Sequence, residues 1–306
     1  MPVGFPLVSV PDLTISAPFK WLLSYCRCYS VFDSSDTRVS LLFPTGMGLH
    51  FSQAVILFVA GGIAGTLNAI AGGGSFISFP ALLFVRVPAV EANATNTVAL
   101  WPGLAASTIA YLKRLDAPPS VLIPLLVTSV FGGFVGAVLL LNTPQRTFVH
   151  LIPWLLLAGT SLFAFGNRIR VITGKAAFID DLRELSWRAI TITSIVDLLV
   201  AVYGGYFGAG LGFLILGMLA ALGMRDIHEM GAIRTLLAAV INAAAVATFI
   251  TAGAVVWSQC VVMIAGTLTG GWLGAHYAQK ADPVKVRGVV IAAGVIMTLY
   301  FFVTLH

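Results

Sequence analysis

The chain has 306 residues, 58% of them hydrophobic and only 9% charged, and its mean hydropathy is +0.97. A soluble domain usually carries about 25% charged residues, so the composition excludes an ordinary water-soluble protein and reads as an integral membrane protein. The formal charge of +5 comes without a basic cluster, which argues against a nucleic-acid partner and for cationic loops held at the cytoplasmic face of a bilayer.

In chain order, residues 1–46 come first, with Pro2, Pro6, Pro11 and Pro18, scattered Lys20, Arg27 and Arg38, and one short apolar patch from Phe19 to Leu23. A signal peptide needs a longer apolar core and a small-residue cleavage site, so this segment reads as a poorly ordered tail. Met47-Gly48-Leu49 leads straight into the first membrane segment and offers an alternative start. Cys26 and Cys28 have no second cysteine pair, and with Cys260 they form no disulfide framework. No metal and no cofactor is therefore expected.

Ten apolar segments follow, at 52–71, 74–87, 93–112, 118–141, 148–166, 189–209, 211–223, 231–252, 256–279 and 284–304. They lack the alternation of an outer-membrane barrel, which makes the protein all-α. The second and seventh are short of the roughly 20 residues a crossing needs. Each follows a glycine-rich break, Ala71-Gly72-Gly73-Gly74-Ser75-Phe76 in one case and Gly208-Ala209-Gly210-Leu211-Gly212-Phe213 in the other. A shift of 137 residues superimposes Gly73 on Gly210 and Phe76 on Phe213. Unpaired backbone in lipid costs several kcal/mol, so such a break survives only inside protein or along a wet cavity. Paired breaks in related halves point to a transporter's binding site.

The repeat extends further. Gly132-Gly133-Phe134-Val135-Gly136-Ala137 matches Gly270-Gly271-Trp272-Leu273-Gly274-Ala275 at a shift of 138, as do Ala94 and Thr97 with Ala232 and Thr235. The expected organisation is a first membrane repeat at 50–166, a cytoplasmic linker at 167–188 and a second repeat at 189–304. If each break is the tip of a helical hairpin, each half adds three crossings to one hairpin, and the second half is inverted relative to the first. Lys113-Arg114, the linker, Arg225 and the 280–287 loop then share one face, which the distribution of cations marks as cytoplasmic. Two full crossings in place of each hairpin fit the charges equally well. The glycines of the GGxxGA pair read as close-packing faces between helices.

The tip Gly72-Gly73-Gly74-Ser75-Phe76, followed by an apolar stretch with Pro80 and then an Ala-x-x-Thr helix start, resembles the TauE/SafE family of sulfite and sulfonate exporters. The resemblance covers nearly all of 50–304. The second half departs from the pattern: Gly210-Leu211-Gly212 replaces the triple glycine, and Gly217 stands where the first half has Pro80. The resemblance implies a multi-pass protein of the inner (plasma) membrane. It also implies a small anionic substrate carrying sulfur, such as sulfite, a sulfonate or sulfoacetate, moved outward by a secondary transporter. An anion channel on the same scaffold is the alternative, and the chain works either alone or as a homodimer. No catalytic motif of the His-Glu-x-x-His or Gly-x-Ser-x-Gly kind and no pair of intramembrane carboxylates appears, which argues against an enzyme.

The candidate substrate ligands gather around the two breaks and the helices that follow them. At the first break they are Asn68, Gly73, Gly74 and Ser75; in the third segment Asn93, Asn96 and Thr97; at the second break Gly210 and Gly212; in the eighth segment Arg234 and Thr235. Helix N-termini favour anions, and glycine lets a ligand approach the backbone. Asn68 and Ser75 fit helix capping as well as they fit ligand binding. Asn93, Thr95, Asn96 and Thr97 are more polar groups than one cap needs. Arg234, matched to Asn96, is an intramembrane cation with a planar donor fork, and its alternatives are snorkelling to the headgroups or pairing with Glu229. Asp197, in mid-segment, is the candidate proton-coupling group.

Overall fold

A computed structural model of the chain describes residues 50–70, 73–111, 115–173, 182, 185–224, 226–277 and 283–305. The expected tail at 1–46, Met47, and most of the linker lie outside the described residues. Every regular element among the described residues is helical, with ten α-helices: α1 (Phe51–Ile70), α2 (Ser75–Phe84), α3 (Ala89–Tyr111), α4 (Pro119–Leu141), α5 (Gln145–Thr173), α6 (Trp187–Tyr206), α7 (Leu211–Ala221), α8 (Ile227–Thr251), α9 (Trp257–Tyr277) and α10 (Pro283–Leu305). One helix stands at each of the ten apolar segments. Four contain stretches long and apolar enough to cross a bilayer: Phe51–Asn68, Pro119–Leu141, Trp187–Tyr206 and Glu229–Thr251. Large apolar side chains such as Phe51, Ile123, Val127, Ile192, Leu199 and Trp272 stand on the outside, as lipid-facing surfaces require.

Several ends differ from the sequence reading. α3 begins at Ala89 and α8 at Ile227, four residues before the apolar windows, with first-turn glutamates Glu91 and Glu229 that are not apolar but suit a helix N-terminus. Asn93 to Thr97 therefore occupy the interior of α3 and do not cap it, and Arg234 lies about two turns inside α8. α5 continues through Thr173, past the expected end at 166. The short helices α2 and α7 close with the same device. Val87 N–H bonds the Leu82 carbonyl and Arg86 N–H that of Leu83, while Met224 bonds Leu219 and Gly223 bonds Ala220. The turn residue has positive φ in both, +66° at Arg86 and +98° at Gly223, a conformation that glycine adopts freely and arginine does not.

The tightest pairings cross between the halves. α1 lies along α9 and α4 along α6, each pair running in the same direction. The Thr66 hydroxyl donates to the Gly270 carbonyl at 2.8 Å. A Cβ on Gly270 would fall on the Gly62 carbonyl, and one on Gly61 would lie 2.7 Å from that of Met263. In the other pair, a Cβ on Gly132 would stand 2.9 Å from the Leu198 carbonyl, and one on Gly136 2.7 Å from the Tyr206 nitrogen. A Cβ on Gly133 would come to 2.5 Å from the Ile241 carbonyl of α8. α3 and α8 instead pass in opposite directions: Thr108 donates to the Thr235 carbonyl and Trp101 Nε1 to that of Ala239, both at 3.0 Å. α5 and α10 do the same, with Trp154 on Phe302 at 5.1 Å and Thr160 beside Gly294.

Glycine at these contacts lets backbones meet, and any side chain forces them apart at a cost of about 1–3 kcal/mol. Gly136→Val should therefore lower the thermal unfolding temperature in detergent by several degrees. Gly217→Ala, where a Cβ meets nothing within 4 Å, should leave it unchanged.

Candidate functional site

At both breaks the released backbone finds partners inside the protein. Gly74 returns beside α1: its N–H donates to Asn68 Oδ1 at 2.8 Å, and a Cβ on it would fall on the Ala64 carbonyl. Asn68 thus takes up one backbone donor at the break. At the second break Gly210, the residue before α7, has φ +80°, and the Tyr203 hydroxyl donates to the Ala209 carbonyl at 2.7 Å. The first turns match at Phe76 and Phe213 and differ one residue further on. Phe76 N–H bonds Gly73 and Ile77 bonds Gly74, while Phe213 and Leu214 both bond Gly210. Among the described residues, the matched N–H groups of Ser75 and Gly212 have no acceptor. Each helix start carries the positive end of a helix dipole, with these donors unpaired among the described residues.

α3 holds both tips. Asn93 and Asn96 stand three residues apart on one face of that helix. Asn93 Nδ2 donates to the Tyr206 carbonyl, at the end of α6, at 2.9 Å. Asn96 Oδ1 accepts from the Ser78 hydroxyl of α2 at 2.5 Å. Both asparagines are buried, and Asn93 Oδ1 has no partner. α5 closes the junction from another side: a Cβ on Gly159 would lie 3.0 Å from the Ala209 carbonyl and 3.2 Å from both the Phe76 ring and the Tyr203 hydroxyl. Next to it Phe79, Phe148 and Phe207 form a buried cluster of edge-to-face rings, with Phe79 and Phe207 5.6 Å apart and Tyr206 5.8 Å from Phe148.

Arg234 lies against the start of α7. A Cβ on Gly212 would come within 3.5 Å of Arg234 Cδ and of a guanidinium nitrogen. Arg234 is half-buried, has Tyr111 as an electrostatic neighbour, and has no hydrogen bond to another described residue. Its cationic fork and the free Gly212 N–H thus stand together at one helix start, a set of donors suited to an oxyanion.

The expected residues divide into groups. Gly73 and Gly74 are buried at the first tip and Ser75 opens α2. The hydroxyls of Thr97 and Thr235 bond carbonyls of their own helices, at Asn93 and at Gly231 and Ala232. Asp197 is apart from the tips, on α6 between Thr128 and Ser129 of α4. Sequence reasoning missed Ser78 and Gly159. Ser78 had a signal, as a hydroxyl in an otherwise apolar helix; Gly159 had none. A separate groove of about 350 Å³, lined by Phe58, Gly62, Ile63, Thr66 and Gly270, runs along α1 and α9 and is apolar.

A family model described as Sulfite exporter TauE/SafE matches residues 57–301. The chain belongs to the TauE/SafE family. Among its relatives, a "Probable membrane transporter protein" of Haemophilus influenzae is 27% identical over 253 residues, covering 82% of this chain and 95% of the relative. "Probable membrane transporter protein ORF9" of a Sinorhizobium species is 26% identical over 252 residues, covering 82% and 93%. "Probable membrane transporter protein YfcA" of Escherichia coli K12 is 23% identical over 244 residues, covering 79% and 87%. No solved structure matches the chain. As a TauE/SafE member the chain is a membrane transporter, and the expectation from its glycine tip and Pro80 agrees with the family match.

Ser78→Ala leaves Asn96 Oδ1 buried without its donor, which costs about 1–3 kcal/mol. Thermal unfolding in detergent should show a lowered midpoint for Ser78→Ala. Thr97→Val, whose hydroxyl serves only its own helix, should stay near wild type.

Proposed function

We propose that the chain is a secondary transporter that exports small organosulfur or sulfur oxyanions, such as sulfite, a sulfonate or sulfoacetate, across the inner membrane. Alternating access takes place around the junction of the two glycine tips. The observation that carries this reading is Arg234, a cation without a hydrogen-bond partner among the described residues, set against the free N–H of Gly212. An anion there meets a planar donor fork and a helix dipole together, and the first tip offers a matching N–H at Ser75. The second-half tip carries the arginine where the first carries Asn96, so the anion sits nearer α7 than α2.

The helix pairings support two inverted repeats as the moving parts. Matched helices α3 and α8 run antiparallel, as do α5 and α10, while α1 lies along α9 and α4 along α6. Two halves related by a two-fold axis in the membrane plane produce this pattern. Family membership supports the substrate class.

In proteoliposomes the protein should move labelled sulfite, taurine or sulfoacetate with saturation. Arg234→Ala should weaken apparent affinity roughly tenfold to hundredfold, the worth of one charged hydrogen bond, and Arg234→Lys should restore part of it. Movement of none of these solutes alongside transport of an uncharged one overturns the reading. Ohmic single-channel current in a planar bilayer also overturns it, in favour of a channel.

A further inference from the structure

Asp197 is a fully buried carboxyl outside the tip junction. It sits on α6 and faces α4. Thr128 Oγ1 lies 2.7 Å and Ser129 Oγ 3.0 Å from the same oxygen, Oδ2, while Oδ1 is buried with no partner. Among the described residues no cation bonds it. The helices packed on α6 are α4, α7 and α8. α4 and α7 contain no titratable residue, and α8 contributes His228, Glu229 and Arg234. α6 itself adds Arg188, Tyr203 and Tyr206. A lone ionised carboxylate with one bare oxygen is expensive inside a membrane, and an intramembrane acid of this kind marks a functional pathway.

We propose that Asp197 binds the single proton that couples this transporter to a pH gradient, a proposal that rests on the transporter reading above. The surroundings suit both forms of the acid. Thr128 has one hydroxyl proton and three acceptors in reach: Asp197 Oδ2, the Pro124 carbonyl at 3.0 Å and the Leu125 carbonyl at 3.1 Å. With Asp197 ionised, Thr128 donates to Oδ2. When a proton binds Oδ2, the new O–H donates to Thr128 Oγ1, and Thr128 turns its own proton to the Pro124 carbonyl. One proton enters from water, one returns to water on the other side, and no heavy atom has to move far for the exchange.

Position links the proton to the substrate. α6 carries Asp197 and, nine residues on, Tyr206, whose carbonyl Asn93 holds; Tyr203 of the same helix closes the second tip. The α4–α6 pair is packed backbone to backbone through Gly132 and Gly136, so a change of charge between these helices is felt along the whole of α6. The matched pair, α1 and α9, has Ala60 at the position of Asp197 and Gly266 and Thr267 at those of Thr128 and Ser129. The repeat therefore has one acid and not two, and the stoichiometry is one proton per cycle.

Two readouts test this. Infrared difference spectra of the purified protein between acid and alkaline buffer should show a carboxyl C=O band that is lost in Asp197→Asn and whose midpoint moves in Thr128→Val. In proteoliposomes with the potential clamped at zero, a pH gradient of one unit should hold an about tenfold gradient of methanesulfonate, which carries no proton of its own, in wild type. In Asp197→Asn the sulfonate should equilibrate without accumulating. Accumulation by Asp197→Asn equal to wild type overturns the proposal, as does a band unchanged in that variant. A band that answers to Na⁺ and not to pH also overturns it, in favour of a cation site. If no sulfur anion moves while the band titrates and vanishes in Asp197→Asn, the proton site stands and the substrate reading fails.

Discussion

Backbone polar groups released where a helix stops inside a membrane must find partners within the protein, because lipid offers none. That requirement organises the centre of this molecule. Where α1 ends, Asn68 takes the N–H of Gly74; where α6 ends, Tyr203 donates to the Ala209 carbonyl and Asn93 to that of Tyr206. Through Asn93 and Asn96, α3 becomes the common support of both breaks. Among the described residues, the N–H groups of Ser75 and Gly212 have no acceptor, and the proposed anion would supply one.

Close packing between the halves follows from the same economy. Helices gain little from hydrophobic exclusion in lipid, so contact area and short approach decide which pairs form. Glycine supplies that approach at Gly132, Gly133 and Gly136 on α4 and at Gly266 and Gly270 on α9. Each half thus grips the first helix of the other, and the tips follow directly from α1 and α6, the gripped helices.

Much of this was legible in the residues. Ten apolar runs gave ten helices, and the two glycine breaks and the GGxxGA repeat fell where α1 and α6 stop and where α4 and α9 pack. The polar set at Asn93 and Asn96 read as more than a cap, and in the fold these residues hold the two tips. Other features were not legible. Helix starts at Ala89 and Ile227 were hidden because first-turn glutamates break an apolar window while suiting a helix N-terminus. That the hydroxyls of Thr97 and Thr235 bond carbonyls of their own helices was not legible, because a hydroxyl at helical spacing gives no sign of that bond. Gly159 became visible only when α5 brought it between Ala209 and Phe76. The placement of Arg234 over Gly212 depends on how α8 crosses α7, which no local pattern encodes.

The central proposal is an oxyanion at the start of α7, between the Gly212 N–H and Arg234 and beside the junction of the tips. A cryo-electron microscopy map of the protein with sulfite or a sulfonate bound tests it most directly. Density within hydrogen-bonding distance of the Gly212 nitrogen and the Arg234 guanidinium, absent from the map without the anion, is the predicted result. Anion density in the groove between α1 and α9, or beside Asp197 with the space at Gly212 unchanged, would contradict it.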